Sequence, residues 1–261
     1  MPNNSMEDTP QQTLGTPAVP ATPEEKKLLA PVWHTFVLVA LMMVNSYFTA
    51  THMPRIIDGA GTGSSRARLL QYGLTIAFEF FLLFLVWIGL RLRRVRIREI
   101  IGGRWNTPED FLLDIGIAAG FWVAAAAVLL GLGLLLRLND PSQVNDIKQR
   151  LGSIIPHTAL DTALWIGLSA TAGFVEEILF RGYLQRQIAA IAGNLWIGLA
   201  VSAVIFGAGH GYEGVRRMLL IVVYGAMFGI LAHFRKSLRP GMMAHAWHDA
   251  LAGIILRFFP K

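Results

Sequence analysis

Apolar runs long enough to cross a bilayer, separated by short polar loops, recur along this chain. A spanning helix takes roughly 20 mostly apolar residues, a length that helices in a soluble core seldom reach again and again. Seven stretches reach or approach it: Val32 to Ala50, Leu69 to Leu92, Phe111 to Leu138, Ala159 to Leu184, Leu195 to His210, Met218 to Phe234 and Gly241 to Phe259. The Leu195 stretch is short enough to be partly re-entrant, and the glycines of the third leave room for a break, so the range is six to eight spans. The predicted fold class is all-α, a polytopic transmembrane helical bundle.

Composition agrees with that architecture, since 54% hydrophobic against 15% charged residues is more apolar surface than one soluble core hides. The net charge of +6 does not indicate nucleic acid, because the arginines cluster at the ends of apolar runs, where topology signals sit. Arg91, Arg93, Arg94, Arg96, Arg98 and Arg104 against Glu99 mark the loop after the second span as cytoplasmic, and with it the N-terminus. Alternation then puts Arg186, Arg235, Lys236 and Arg239 inside and the loop around Asp140 outside. Arg216 and Arg217 are the exception, falling on the outer side. Residues 1–30, rich in Pro, Thr, Gln and Glu, lack the apolar core and cleavage site of a signal peptide and read as a disordered tail. With no cysteine, the chain has no disulfide, thiolate zinc site or Cys nucleophile.

Ionisable residues inside spans are costly and so are functional hypotheses. Three groups occur in the last four spans. Glu176 and Glu177 lie between Phe174 and Gly182; adjacent positions on a helix point about 100° apart, so the two carboxylates serve different partners. Glu177 is one turn from Arg181, which predicts a structural ion pair and leaves Glu176 to face a cavity and take a proton from water. The competing reading has both acids capping a helix in interfacial water. His210 closes a small-residue run after Phe206, and structural and functional readings are equally open for it taken alone. Gly193 is 17 residues from both Glu176 and His210, however, so an antiparallel hairpin brings them to similar depth. His245 and Asp249, four apart, share one face of the last span and suit an oriented imidazole or a pair of metal ligands, or else an interfacial helix start; His248 points elsewhere. Glu79 stands in the second span without an evident partner, and a lipid-masked or inter-helix hydrogen bond and a role in substrate binding are equally open for it. His34, His52, His157 and His233 fall near predicted membrane surfaces, where solvation accounts for them.

Together, Glu176, Glu177 and Arg181, then Phe206 and His210, then His245 and Asp249 resemble the EExxxR, FxxxH and HxxxN/D motifs of the CAAX-protease and bacteriocin-processing (CPBP, or Abi) family of intramembrane peptidases, with Phe180 and Gly182 completing the longer form of the first. The resemblance covers about Ala159 to Phe259 and implies a catalytic core over residues 159–261, preceded by transmembrane helices over 31–158. It implies a water-filled cavity in which Glu176 and His210 activate water against a peptide carbonyl while His245 and Asp249 steady the oxyanion. Glu177, Arg181 and Phe206 would support them. Family members commonly carry Asn at the last position; an ionised Asp249 only accepts hydrogen bonds, so it can instead orient His245. The expected substrate is a membrane protein or lipidated peptide in the bilayer, prenylated CAAX-type proteins included, with no nucleic acid and no cofactor. The expected location is a bacterial inner membrane. Glu176, His210 and His245 would also satisfy a catalytic zinc, although the HExxH motif is absent. Rival readings are a transporter, whose polar residues should spread through both halves, and a non-catalytic scaffold or chaperone, which should lack a motif residue.

Overall fold

A computed structural model describes residues 27–59, 64–152 and 154–258, and these are helical, with no strand among them beyond a single bridge between Gly102 and Ser237. The order is α1 (Val32–Gly59), α2 (Ser65–Leu92), α3 (Ile97–Ile101), α4 (Pro108–Leu135), α5 (Pro141–Leu151), α6 (Ala159–Glu176), a π-helical segment (Glu177–Leu184), α7 (Gln185–Ala192), α8 (Leu195–Gly209), α9 (Val215–Arg235) and α10 (Arg239–Phe258). Each of the seven predicted stretches coincides with a helix among the described residues. Five helices are long and apolar enough to cross a membrane: α1, α2, α4, α9 and the continuous Ala159–Ala192 helix. Of the other two, α8 is a shorter apolar helix and α10 carries the polar side chains of the site. The fourth stretch runs on to Ala192, past its predicted end at Leu184, and α4 passes its glycines unbroken. The short helices α3 and α5 lie in loops and have no counterpart in the apolar pattern.

Local chemistry sets the ends. Thr107 and Asp110 form a capping box at α4, with Pro108 entering the first turn, and Thr158 and Asp161 form another at α6. Gly193, with φ of 65°, ends α7 and Asn194 caps α8, making the tight turn expected there. Asp161 also takes a buried ion pair from Arg68 at 2.8 Å, joining the starts of α2 and α6. At the opposite end Arg235 pairs with Asp114 at 2.9 Å, joining α9 to α4.

The core gathers on the π-helical segment, all eight of whose residues are buried. Helix α10 lies against α6 at backbone distance: a Cβ on Gly173 would stand 2.7 Å from the Ala246 nitrogen and 2.8 Å from the Met242 oxygen. Most of the tail expected over 1–30 lies outside the described residues. Leu29 and Ala30 are described, and their backbone N–H groups donate to Gln187 at 2.7 and 3.2 Å, so the chain enters α1 already docked on α7.

Candidate active site

The site forms where α6 gives way to the π-helical segment. A π turn widens the helix by one residue, re-aims the side chains around it, and recurs at functional sites. Here the Phe180 carbonyl, which accepts the Gln185 N–H, also accepts from Ser202 Oγ on α8 at 2.8 Å. Glu177, 1% exposed, accepts from Arg181 Nη1 at 2.8 Å; the predicted ion pair forms. Arg181 Nη2 donates to the Gly225 carbonyl at 3.1 Å, and its guanidinium carbon stands 4.4 Å from the Phe206 ring and 4.9 Å from that of Phe228. Carboxylate, carbonyl and two aromatic faces thus compensate a buried cation.

The same Glu177 oxygen accepts from His245 Nδ1 at 3.2 Å. That bond directs Nε2 to the other side, where Glu176 Oε2 and Asp249 Oδ2 each lie 3.6 Å away. Both distances exceed direct hydrogen bonding but hold the ring in the field of two carboxylates. The His245 ring packs 5.2 Å from Phe228 and 5.9 Å from Phe206. Asp249 is fixed through its backbone, whose carbonyl accepts from Trp165 Nε1 at 3.0 Å.

His210 ends α8 with its ring 4.9 Å from Phe206. Its Nδ1 donates to the Phe206 carbonyl at 2.9 Å, which leaves Nε2 of a neutral ring as an acceptor. The Phe206 ring therefore packs near both His210 and His245, which stand on different helices. The helix that carries His210, α8, is only 15 residues long.

The structure gives Glu79 neighbours on other helices. It is buried on α2, with the carboxyl groups of Glu176 and Asp249 as neighbours. Glu79 Oε2 and Glu176 Oε2 are buried oxygens without a hydrogen-bond partner among the described residues, as is Glu177 Oε2. His34 is a correction: it is buried and not surface-solvated, bonded to Tyr183 at 2.9 Å and to the Leu85 carbonyl at 3.0 Å. His157 and His233 are exposed as expected, and the His52 side chain lies outside the described residues. His248 packs on the Tyr224 ring at 4.8 Å, away from the carboxylates.

Tyr212 and Glu213, in the 3-10 turn between α8 and α9, also belong to this neighbourhood. Burial pushes the Tyr212 phenol well above its ordinary value, reinforced by the negative charge of Glu213, Glu176, Asp249 and Glu79, so it remains a neutral donor. Burial raises the Glu213 carboxyl too, against the pull of His210 and Arg217. Arg217 has Glu213 and Asp146 as neighbouring charges, and Arg216 Nη1 reaches the Leu136 carbonyl at 3.4 Å. The two arginines that broke the charge pattern thus have local partners.

Among the described residues no three His, Asp or Glu side chains are set to hold one metal ion. His245 Nδ1 is engaged by Glu177 and His210 Nδ1 by its own helix, which leaves Nε2 of each ring for other partners.

No curated protein and no solved structure matches the chain. One family model does, described as type II CAAX prenyl endopeptidase, Rce1-like, over residues 158–251. The match takes in α6 through most of α10, the stretch that carries all three motifs, and on it residues 158–251 of this integral membrane protein form a domain of the CAAX-protease family, Rce1-like type.

Proposed function

We propose that the chain is an intramembrane endopeptidase that hydrolyses a peptide bond of a membrane-associated protein or lipidated peptide through a water activated by Glu176 and His210. The observation that carries this reading is the asymmetry around His245: Glu177 and Arg181 hold its Nδ1 side, while Nε2 faces Glu176 and Asp249 across 3.6 Å.

In the proposed reaction, the Glu176 carboxylate takes a proton from water as the oxygen adds to the peptide carbonyl, with His210 Nε2 as the second acceptor on that water. The carbonyl oxygen becomes an oxyanion, and His245, carrying a proton on each nitrogen, presents Nε2–H to it. Collapse of the tetrahedral intermediate breaks the C–N bond, and the proton held on Glu176 passes to the leaving nitrogen. Asp249 orients His245, which accounts for an acid where the family commonly has Asn. Glu79 shares its proton with Glu176 and so fixes where that carboxyl points. None of these steps calls on a metal.

The test is cleavage of fluorogenic membrane-anchored peptides, prenylated and unprenylated, by the purified full chain. Activity lost in Glu176→Gln and His210→Ala but retained under chelation supports the reading. Loss under chelation that zinc restores would make the protein a metallopeptidase.

A further inference from the structure

At the end of the bundle where α2, α9 and α10 meet the loops, a cleft of about 660 Å³ is lined by Arg98, Arg104, Arg239, Glu99, Ile101 and the glycine pair 102–103. Its shape follows from the backbone. Gly102 and Gly103 both take left-handed conformations, φ 66° and 57°, and Gly102 pairs with Ser237 while the Leu238 N–H donates to the Ile101 carbonyl at 2.8 Å. This pins the loop before α4 to the turn before α10. A Cβ at Gly103 would come 2.8 Å from Ser237 Oγ and 3.0 Å from Arg239 Nη1, so a side chain there would occupy the place of the guanidinium.

The Arg239 guanidinium stacks 5.0 Å above the Trp105 ring, and its Nη1 is buried with no hydrogen-bond partner among the described residues. A buried guanidinium N–H without an acceptor is costly, and an anion supplies the acceptor. Arg98 and Arg104 pair with no acid among the described residues, and the one acid of the cleft, Glu99, stands 3.9 Å from Arg96. Three arginines against one acid therefore face a single cavity.

We infer that this cleft binds the phosphate of an anionic lipid headgroup. Phosphate chemistry follows from planar guanidinium donors converging on one volume. A lipid is favoured over a soluble anion by position: the exposed Trp105 and the exposed Leu92 at the end of α2 flank the loop, as side chains do at the boundary of headgroups and hydrocarbon. The positive-inside pattern sets this end toward the leaflet richest in anionic lipid.

Native mass spectrometry of the purified full chain with equal phosphatidylglycerol and phosphatidylcholine tests this. Wild type should retain phosphatidylglycerol preferentially, and Arg98→Gln, Arg104→Gln and Arg239→Gln should each lower the preference about fivefold. Arg93→Gln with Arg94→Gln, which removes two charges from the same loop outside the cleft, should lower it less than twofold. Arg98 is exposed, so its replacement tests the site even where Arg239→Gln fails to fold. Equal losses in the control pair would reduce the effect to diffuse charge and overturn the site. So would displacement of phosphatidylglycerol by millimolar inorganic phosphate, which would make it a soluble-anion site.

Discussion

The two sides of the His245 ring are built differently. On the Nδ1 side Glu177 is 1% exposed and bonded at 2.8 and 3.2 Å, its cation held by a carbonyl and two phenyl faces. On the Nε2 side Glu176 is 13% exposed, its nearest imidazole is at 3.6 Å, and its neighbour is another acid, Glu79. Adjacent residues of one type thus have opposite fates. Groups closed on one another contribute conformational definition, whereas groups left with unused acceptors near 3.6 Å can take on water and substrate. The π-helical segment makes the division possible, because it begins between the two glutamates.

The comparison can be broken most severely at Glu176. Glu176→Gln keeps shape but removes the base, and peptide cleavage by the full chain should fall about a thousandfold while the unfolding midpoint stays near that of wild type. The reverse signature is expected at Arg181: Arg181→Leu leaves Glu177 buried without its cation and should cost about 3 to 5 kcal/mol, read from denaturant unfolding in detergent micelles. Glu79 should divide by chemistry and not by size. Glu79→Leu should lower kcat about tenfold at unchanged KM, and Glu79→Gln, which still donates to Glu176, should restore kcat to within about threefold. The smallest change is expected at Asp249→Asn, which supplies the common family residue and should alter kcat by less than about fivefold.

Sequence alone carried the Glu177–Arg181 pair, because four residues on a helix bring them to one face whatever the rest does. It also carried the hairpin at Gly193, since Gly-Asn before an apolar run ends one helix and caps the next. Glu79 escaped because its partner lies 97 positions away on α6, and no local spacing encodes the packing of α2 on that helix. His34 was misread for the same reason: its partners are Tyr183 and Leu85, brought to it only by assembly. The π segment left no trace in hydropathy, because widening a helix by one residue changes neither its length nor its apolar content enough to register. Asp114 and Arg68 are ionisable residues near span ends whose partners, Arg235 and Asp161, belong to distant helices.

The most direct measurement is single-turnover cleavage of a membrane-anchored peptide by wild type, Glu176→Gln and Glu177→Gln in excess chelator, with unfolding followed on the same samples. The account predicts that wild type cleaves, that Glu176→Gln is folded and inactive, and that Glu177→Gln loses stability together with activity. A Glu176→Gln protein that cleaves at the wild-type rate, or a wild type that cuts no peptide, would contradict it.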